Sequence, residues 1–176
     1  MNQYPHPPLA KKLFAAQIRF AGIMSVVALI MGLVYREISR GFFDGLSYEQ
    51  QLLYGHNMSL VHGHTFLLGA VIPMVLAVLT LLTLPNLPEK RLKNMNVRFT
   101  AYMIAASVAL ALMVYKGLAF IISAGQPLEA IDAGLFFGSG LLRGILFGLS
   151  HVVIFWAVGE YAVGAIRAAG ASPQKA

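Results

Sequence analysis

Cysteine is absent from all 176 residues. That absence excludes disulfide frameworks, thiolate zinc sites, iron–sulfur clusters, thioether-attached haem and cysteine nucleophiles, so any metal must be held by His, Met, Tyr or carboxylate. Charge is scarce as well, with seven acidic and 13 basic side chains against 58% hydrophobic residues and a mean hydropathy of +0.71. So few charges cannot coat a water-soluble globule of this size, and there is no long polar tract to suggest disorder. Soluble enzyme folds are excluded, and the chain belongs in a bilayer. No carboxylate pair and no nucleophile–base arrangement is placed together, so no complete catalytic centre is recognised.

What is present is four long apolar runs, over residues 14–35, 58–84, 99–123 and 135–166. Each exceeds the roughly 20 helical residues needed to cross about 30 Å of hydrocarbon. All are too long and too evenly apolar for barrel strands. The expected fold is all-α: a single membrane domain over residues 1–176, built as a four-helix up-and-down bundle. The first run lacks a small-residue cleavage pattern and is expected to stay as a helix.

Basic residues set the expected orientation. Lys11, Lys12 and Arg19 precede or open the first run, Lys90, Arg91, Lys93 and Arg98 fill the middle loop, and Arg167 and Lys175 follow the last. The first loop sets Arg36 and Arg40 against Glu37, Asp44 and Glu49, and the third carries only Glu129 and Asp132. Both termini are therefore expected in the cytoplasm. The net charge of +6 is accounted for by topology and anionic headgroups, without nucleic acid. Leu84-Pro85-Asn86-Leu87-Pro88 and Gly125-Gln126-Pro127 are helix stops, Ser47 is a cap for a short interfacial helix, and Gly170 to Ala176 is a frayed tail.

The informative segment opens the second run. Gly55, Ser59, His62, Phe66, Gly69 and Pro73 recur every three or four residues, a small and polar stripe expected to face the bundle. His64 lies about 200° from His62 around a regular helix, so the two cannot ligate one ion from it. In the fourth run Gly140, Gly144 and Gly148 precede His151 on one face, where small residues admit a neighbouring helix or a flat cofactor. Helix packing is the plainer explanation of that stripe, as is packing for the histidines and the eight methionines. An ionisable group deep in a span nevertheless points to function. Arg36, Lys116 and Arg143 lie toward the same ends as His62 and His64. They are placed to snorkel, to pair with Glu37, Glu129 or Asp132, or to hold an anionic group such as haem propionates.

Tyr35-Arg36-Glu37, Val61-His62-Gly63-His64 with Leu68-Gly69, and Leu149-Ser150-His151 resemble an uncharacterised bacterial family of small four-helix integral membrane proteins. The resemblance implies a multi-pass protein of the bacterial inner membrane. The His-x-His, four residues, then Gly pattern is also similar to the second helix of subunit I of haem–copper oxidases and nitric oxide reductases. There the first His ligates low-spin haem, so that resemblance implies His62. This chain has four runs rather than twelve and lacks the further histidines of a haem–copper centre, so oxygen or nitric oxide reduction is not implied.

The resulting expectation is a haem b or metal-binding protein for electron transfer or small-ligand sensing. His62 and His151 are its metal ligands, and His64, Arg36 and Arg143 complete the cofactor-binding set. Counting from the cytoplasmic ends puts His62 and His151 about 9 Å apart in height, which a bis-histidine iron tolerates only with tilt or a kink near Pro73. The alternatives are a structural subunit of a larger membrane complex or homo-oligomer, and a proton or solute transport module.

Overall fold

The computed structural model describes residues 7–41, 43–84, 87–123 and 125–169, and every regular element among the described residues is helical. Helix α1 spans Pro7–Gly41 and α2 spans Tyr48–Phe66; a π-helical turn, Leu67–Val71, joins α2 to α3, Ile72–Thr83. Helix α4 spans Glu89–Ile122, the short α5 spans Leu128–Gly134, a 3-10 turn covers Leu135–Gly138, and α6 spans Gly140–Ala169. Four helical runs are long and apolar enough to cross a membrane: Pro8–Ile38, Tyr48–Thr83, Glu89–Ile122 and Gly140–Arg167. Pro85, Asn86 and the tail from Gly170 lie outside the described residues.

Three boundaries differ from those expected, each for a local reason. The capping box at Ser47 is present, with its hydroxyl accepting from Gln50 N–H at 3.3 Å and Gln50 Oε1 accepting from Ser47 N–H at 3.1 Å. It opens the second membrane run itself, not a separate interfacial helix, because Tyr54, Met58 and Val61 carry one buried face straight on. The middle-loop bases are likewise helical: Leu92, Met95, Phe99 and Tyr102 are buried at spacings of three and four, so α4 starts at Glu89, with Glu89, Lys90 and Lys93 exposed and Arg91 and Arg98 half-buried. The last run starts later, at Gly140, because Phe136, Phe137 and Gly138 have φ of 53°, 57° and 75°. Successive left-handed residues end a right-handed helix. The Ser139 hydroxyl accepts Leu142 N–H at 3.1 Å and starts α6.

α1 packs along α2 and α3, α4 packs along α6, and α2 packs along α4, so the second and third membrane runs form the inner pair. All four runs meet in one buried network near the end that carries Pro7 and Ala169. Gln17 Nε2 donates to Thr80 Oγ1 at 3.0 Å and to the Tyr161 hydroxyl at 3.2 Å, and that hydroxyl donates to the Met95 carbonyl at 3.1 Å. In hydrocarbon such groups have no water to return to, so their partners set the register of the helices.

The π-helical turn has a sequence cause. Ile72 N–H donates to the Leu67 carbonyl, five residues back. In that register the next donor, for the Leu68 carbonyl, belongs to Pro73, which has none. The Tyr102 hydroxyl of α4 supplies it instead. Proline thus opens the ladder and a tyrosine on a neighbouring helix closes it.

Candidate functional site

Opposite the termini, α5 and the 3-10 turn fold over the bundle end through a second core of Tyr54, Phe120, Ile131, Leu135 and Phe136. Beneath them the outer halves of α2, α4 and α6 bound a groove of about 430 Å³. Its lining from α2 includes Asn57, Leu60, Val61 and His64. Met113 and Lys116 come from α4, and Arg143, Gly144, Phe147 and His151 from α6. Within α2 and α6 these residues stand one, three or four apart, so one face of each helix supplies the wall. Gly144 has nothing within 4 Å of where a Cβ would stand, which leaves that side of the groove open to the backbone.

Both histidines of the groove are oriented by their own helices. His64 Nδ1 lies 2.9 Å from the Leu60 carbonyl, and His151 Nδ1 lies 2.7 Å from the Phe147 carbonyl. A carbonyl only accepts, so each Nδ1 carries the proton. In the neutral ring Nε2 then keeps its lone pair, the arrangement in which a second ring nitrogen ligates a metal. Phe147 also lies against the His151 ring, with centroids 6.5 Å apart.

At the rim, Asp132 of α5 is shared by two cations. Arg143 Nη1 donates to both of its oxygens at 2.9 and 3.0 Å, and Lys116 Nζ stands 3.9 Å away. Glu129 lines an adjoining cavity with Lys116 and Asp132, so two cations and two carboxylates meet at this rim.

His62 is placed elsewhere. Its Nδ1–H donates to the Ala28 carbonyl of α1 at 2.9 Å, and its ring lies on Gly32, where an added Cβ would sit 2.9 Å from Cε1. The stripe that contains it faces α1 at Gly55, His62 and Gly69, while Ser59 and Phe66 are exposed. His62 therefore does not line the groove with His151, and the histidine of α2 that does is His64. Arg36 is also apart, 3.7 Å from Glu37 at an exposed end of α1. Among the described residues no group of three or more His, Asp or Glu is gathered as a metal cluster. Asn57 and Phe147 went unnoticed in the sequence; the signal available was helical spacing on one face, Phe147 four residues before His151 and Asn57 seven before His64.

None of the curated proteins and none of the solved structures compared matches the chain. The similarity to the haem–copper oxidases therefore gains no support, while that to a small uncharacterised membrane family does. One family model matches residues 11–161, which takes in every groove residue and all but the ends of the four membrane runs, and the chain belongs to that family, described as a protein of unknown function (DUF2871).

Proposed function

We propose that this chain is a membrane-embedded haem b protein that carries single electrons or senses a small ligand, with His64 and His151 as its nitrogen donors. One observation carries the proposal: His64 and His151, each with Nδ1 committed to a carbonyl of its own helix, line a single groove together with Lys116 and Arg143. The volume falls in the range of about 300–1,000 Å³ common to cofactor sites, and Leu60, Val61, Met113 and Phe147 suit a flat apolar ring. His64 also stands two residues, about 3 Å, nearer the level of His151 than His62 does. Haem b would supply one-electron chemistry there. The chain's own part is to orient two imidazoles through Leu60 and Phe147 and to hold carboxylate groups on Lys116 and Arg143 in competition with Asp132. The same proposal puts the protein in the bacterial inner membrane with both termini, and the bases beside them, in the cytoplasm.

Visible spectra of the detergent-purified protein, from cells supplied with haem precursor, test this. A Soret band with sharp α and β bands on dithionite reduction is expected, lost in His64→Ala and in His151→Ala and kept in His62→Ala. A colourless protein, or bands that survive both groove substitutions, would refute it. The outer face of α6 favours a second function, as a subunit of a larger membrane assembly, because Gly140 and Gly148 also have nothing within 4 Å of an added Cβ. A stable monomer in mild detergent, unchanged by Gly148→Leu, would count against that.

A further inference from the structure

At the opposite end of the bundle a second cavity, of about 320 Å³, lies between the start of α4 and the end of α6. Lys90, Arg91, Arg98 and Arg167 line it with a single acid, Glu160. That acid is already engaged, 2.8 Å from Arg98, whose guanidinium also lies 5.8 Å from the Trp156 ring centroid. Among the described residues no ion pair is formed by Lys90, Arg91 or Arg167. Three cations thus remain uncompensated around one concavity. Arg91 is half-buried and lies across Gly164, with its Nε and Nη2 3.7 and 3.8 Å from where a Cβ would stand. The guanidinium thus rests against the backbone of α6 at ordinary contact distance. Helix α4 opens at the same place with Glu89 in its first turn, and that acid is paired with Lys93 at 2.7 Å.

A half-buried guanidinium without a carboxylate is costly unless an anion completes it, and arginine's fork matches phosphate oxygens. The cavity also sits where a membrane run meets water, the level of lipid headgroups, and basic pockets between membrane helices recognise such groups. We propose that this cavity seats an anionic phosphate group, with Arg91 and Arg167 as its principal donors and Lys90 as an outer one. The two sources of that chemistry are an anionic phospholipid headgroup and a soluble phosphate.

The test uses the full chain in nanodiscs, with lipid retention read by native mass spectrometry and stability by thermal unfolding. One arm compares phosphatidylglycerol with phosphatidylcholine, and the other adds inorganic phosphate to phosphatidylcholine discs. We expect phosphatidylglycerol to be retained and to raise the unfolding temperature, with retention falling about fivefold for each of Arg91→Gln and Arg167→Gln. The Lys11→Gln/Lys12→Gln double variant removes the same charge from the same end outside the cavity and should retain the lipid as the wild type does. Stabilisation by inorganic phosphate alone, lost in Arg91→Gln/Arg167→Gln, upholds the site and assigns it to a soluble ligand. The proposal is overturned if neither arm gives a shift, if the shift survives Arg91→Gln/Arg167→Gln, or if Lys11→Gln/Lys12→Gln abolishes it equally.

Discussion

The hydrogen bond from Tyr102 to the Leu68 carbonyl can be tested apart from any function. Tyr102→Phe removes one hydroxyl from a fully buried ring stacked on Phe99 at 5.9 Å, so the packing is unchanged and only the donor is lost. With no water at that depth, a stranded acceptor costs about 1–3 kcal/mol, although hydrogen bonds between membrane helices average nearer 0.6 and reach about 1.7. Because the backbone register offers Leu68 no alternative, the expected cost is at the upper part of that second range, about 1.5 kcal/mol. Pro73→Ala restores an N–H at the position whose π-register acceptor is that same carbonyl. In the Pro73→Ala background Tyr102→Phe should cost under about 0.5 kcal/mol, a coupling near 1 kcal/mol. The double-mutant cycle cancels the small cavity left by the proline ring. Reversible SDS titration in mixed micelles, followed by far-ultraviolet ellipticity, measures all four free energies. Equal costs in the two backgrounds, within about 0.3 kcal/mol, would refute the link between Pro73, the π-helical turn and Tyr102.

Further outcomes follow from space and charge. Gly69→Ala would put a Cβ 2.6 Å from Met24 Cβ, which has no freedom to move away, so it should destabilise by about 1–3 kcal/mol in the same titration. Gly148→Ala, with open space around it, should stay within about 0.5 kcal/mol of wild type. Gly144→Leu should abolish pigment by filling the groove while leaving the unfolding midpoint near that of the wild type; unaltered spectra would remove the groove from consideration. Asp132→Asn frees both Arg143 and Lys116, so haem affinity should rise several-fold at low salt and the gain should shrink as salt is added. An affinity that falls or ignores salt would show that Asp132 is not the competitor of an anionic ligand.

Much of the architecture is legible without coordinates because bilayer thickness turns composition into length. Four apolar runs and no soluble alternative follow from residue counts alone, and Ser47 is readable as a cap, although not that the helix it caps runs on into the second membrane run. Hydropathy fails where a helix outlasts the hydrocarbon: α4 begins ten residues before the apolar run, held by Leu92 and Met95 beneath its charged face. It fails again at Phe136 and Phe137, aromatic residues whose left-handed backbone nothing in their identity announces. The histidines divide in the same way. Helical periodicity separates His62 from His64 by about 200°, yet which of them meets His151 depends on how α2 is turned between α1 and α6. The sequence by itself therefore determined the membrane class, the helix count and the faces on which polar groups recur. Only the tertiary structure decided that Tyr102 would close the gap left by Pro73, that His64 rather than His62 would share a groove with His151, and that Arg91 would lie on Gly164. Spacing along one helix is a local quantity, whereas those pairings depend on the rotation and height of each helix against its neighbours, which packing sets.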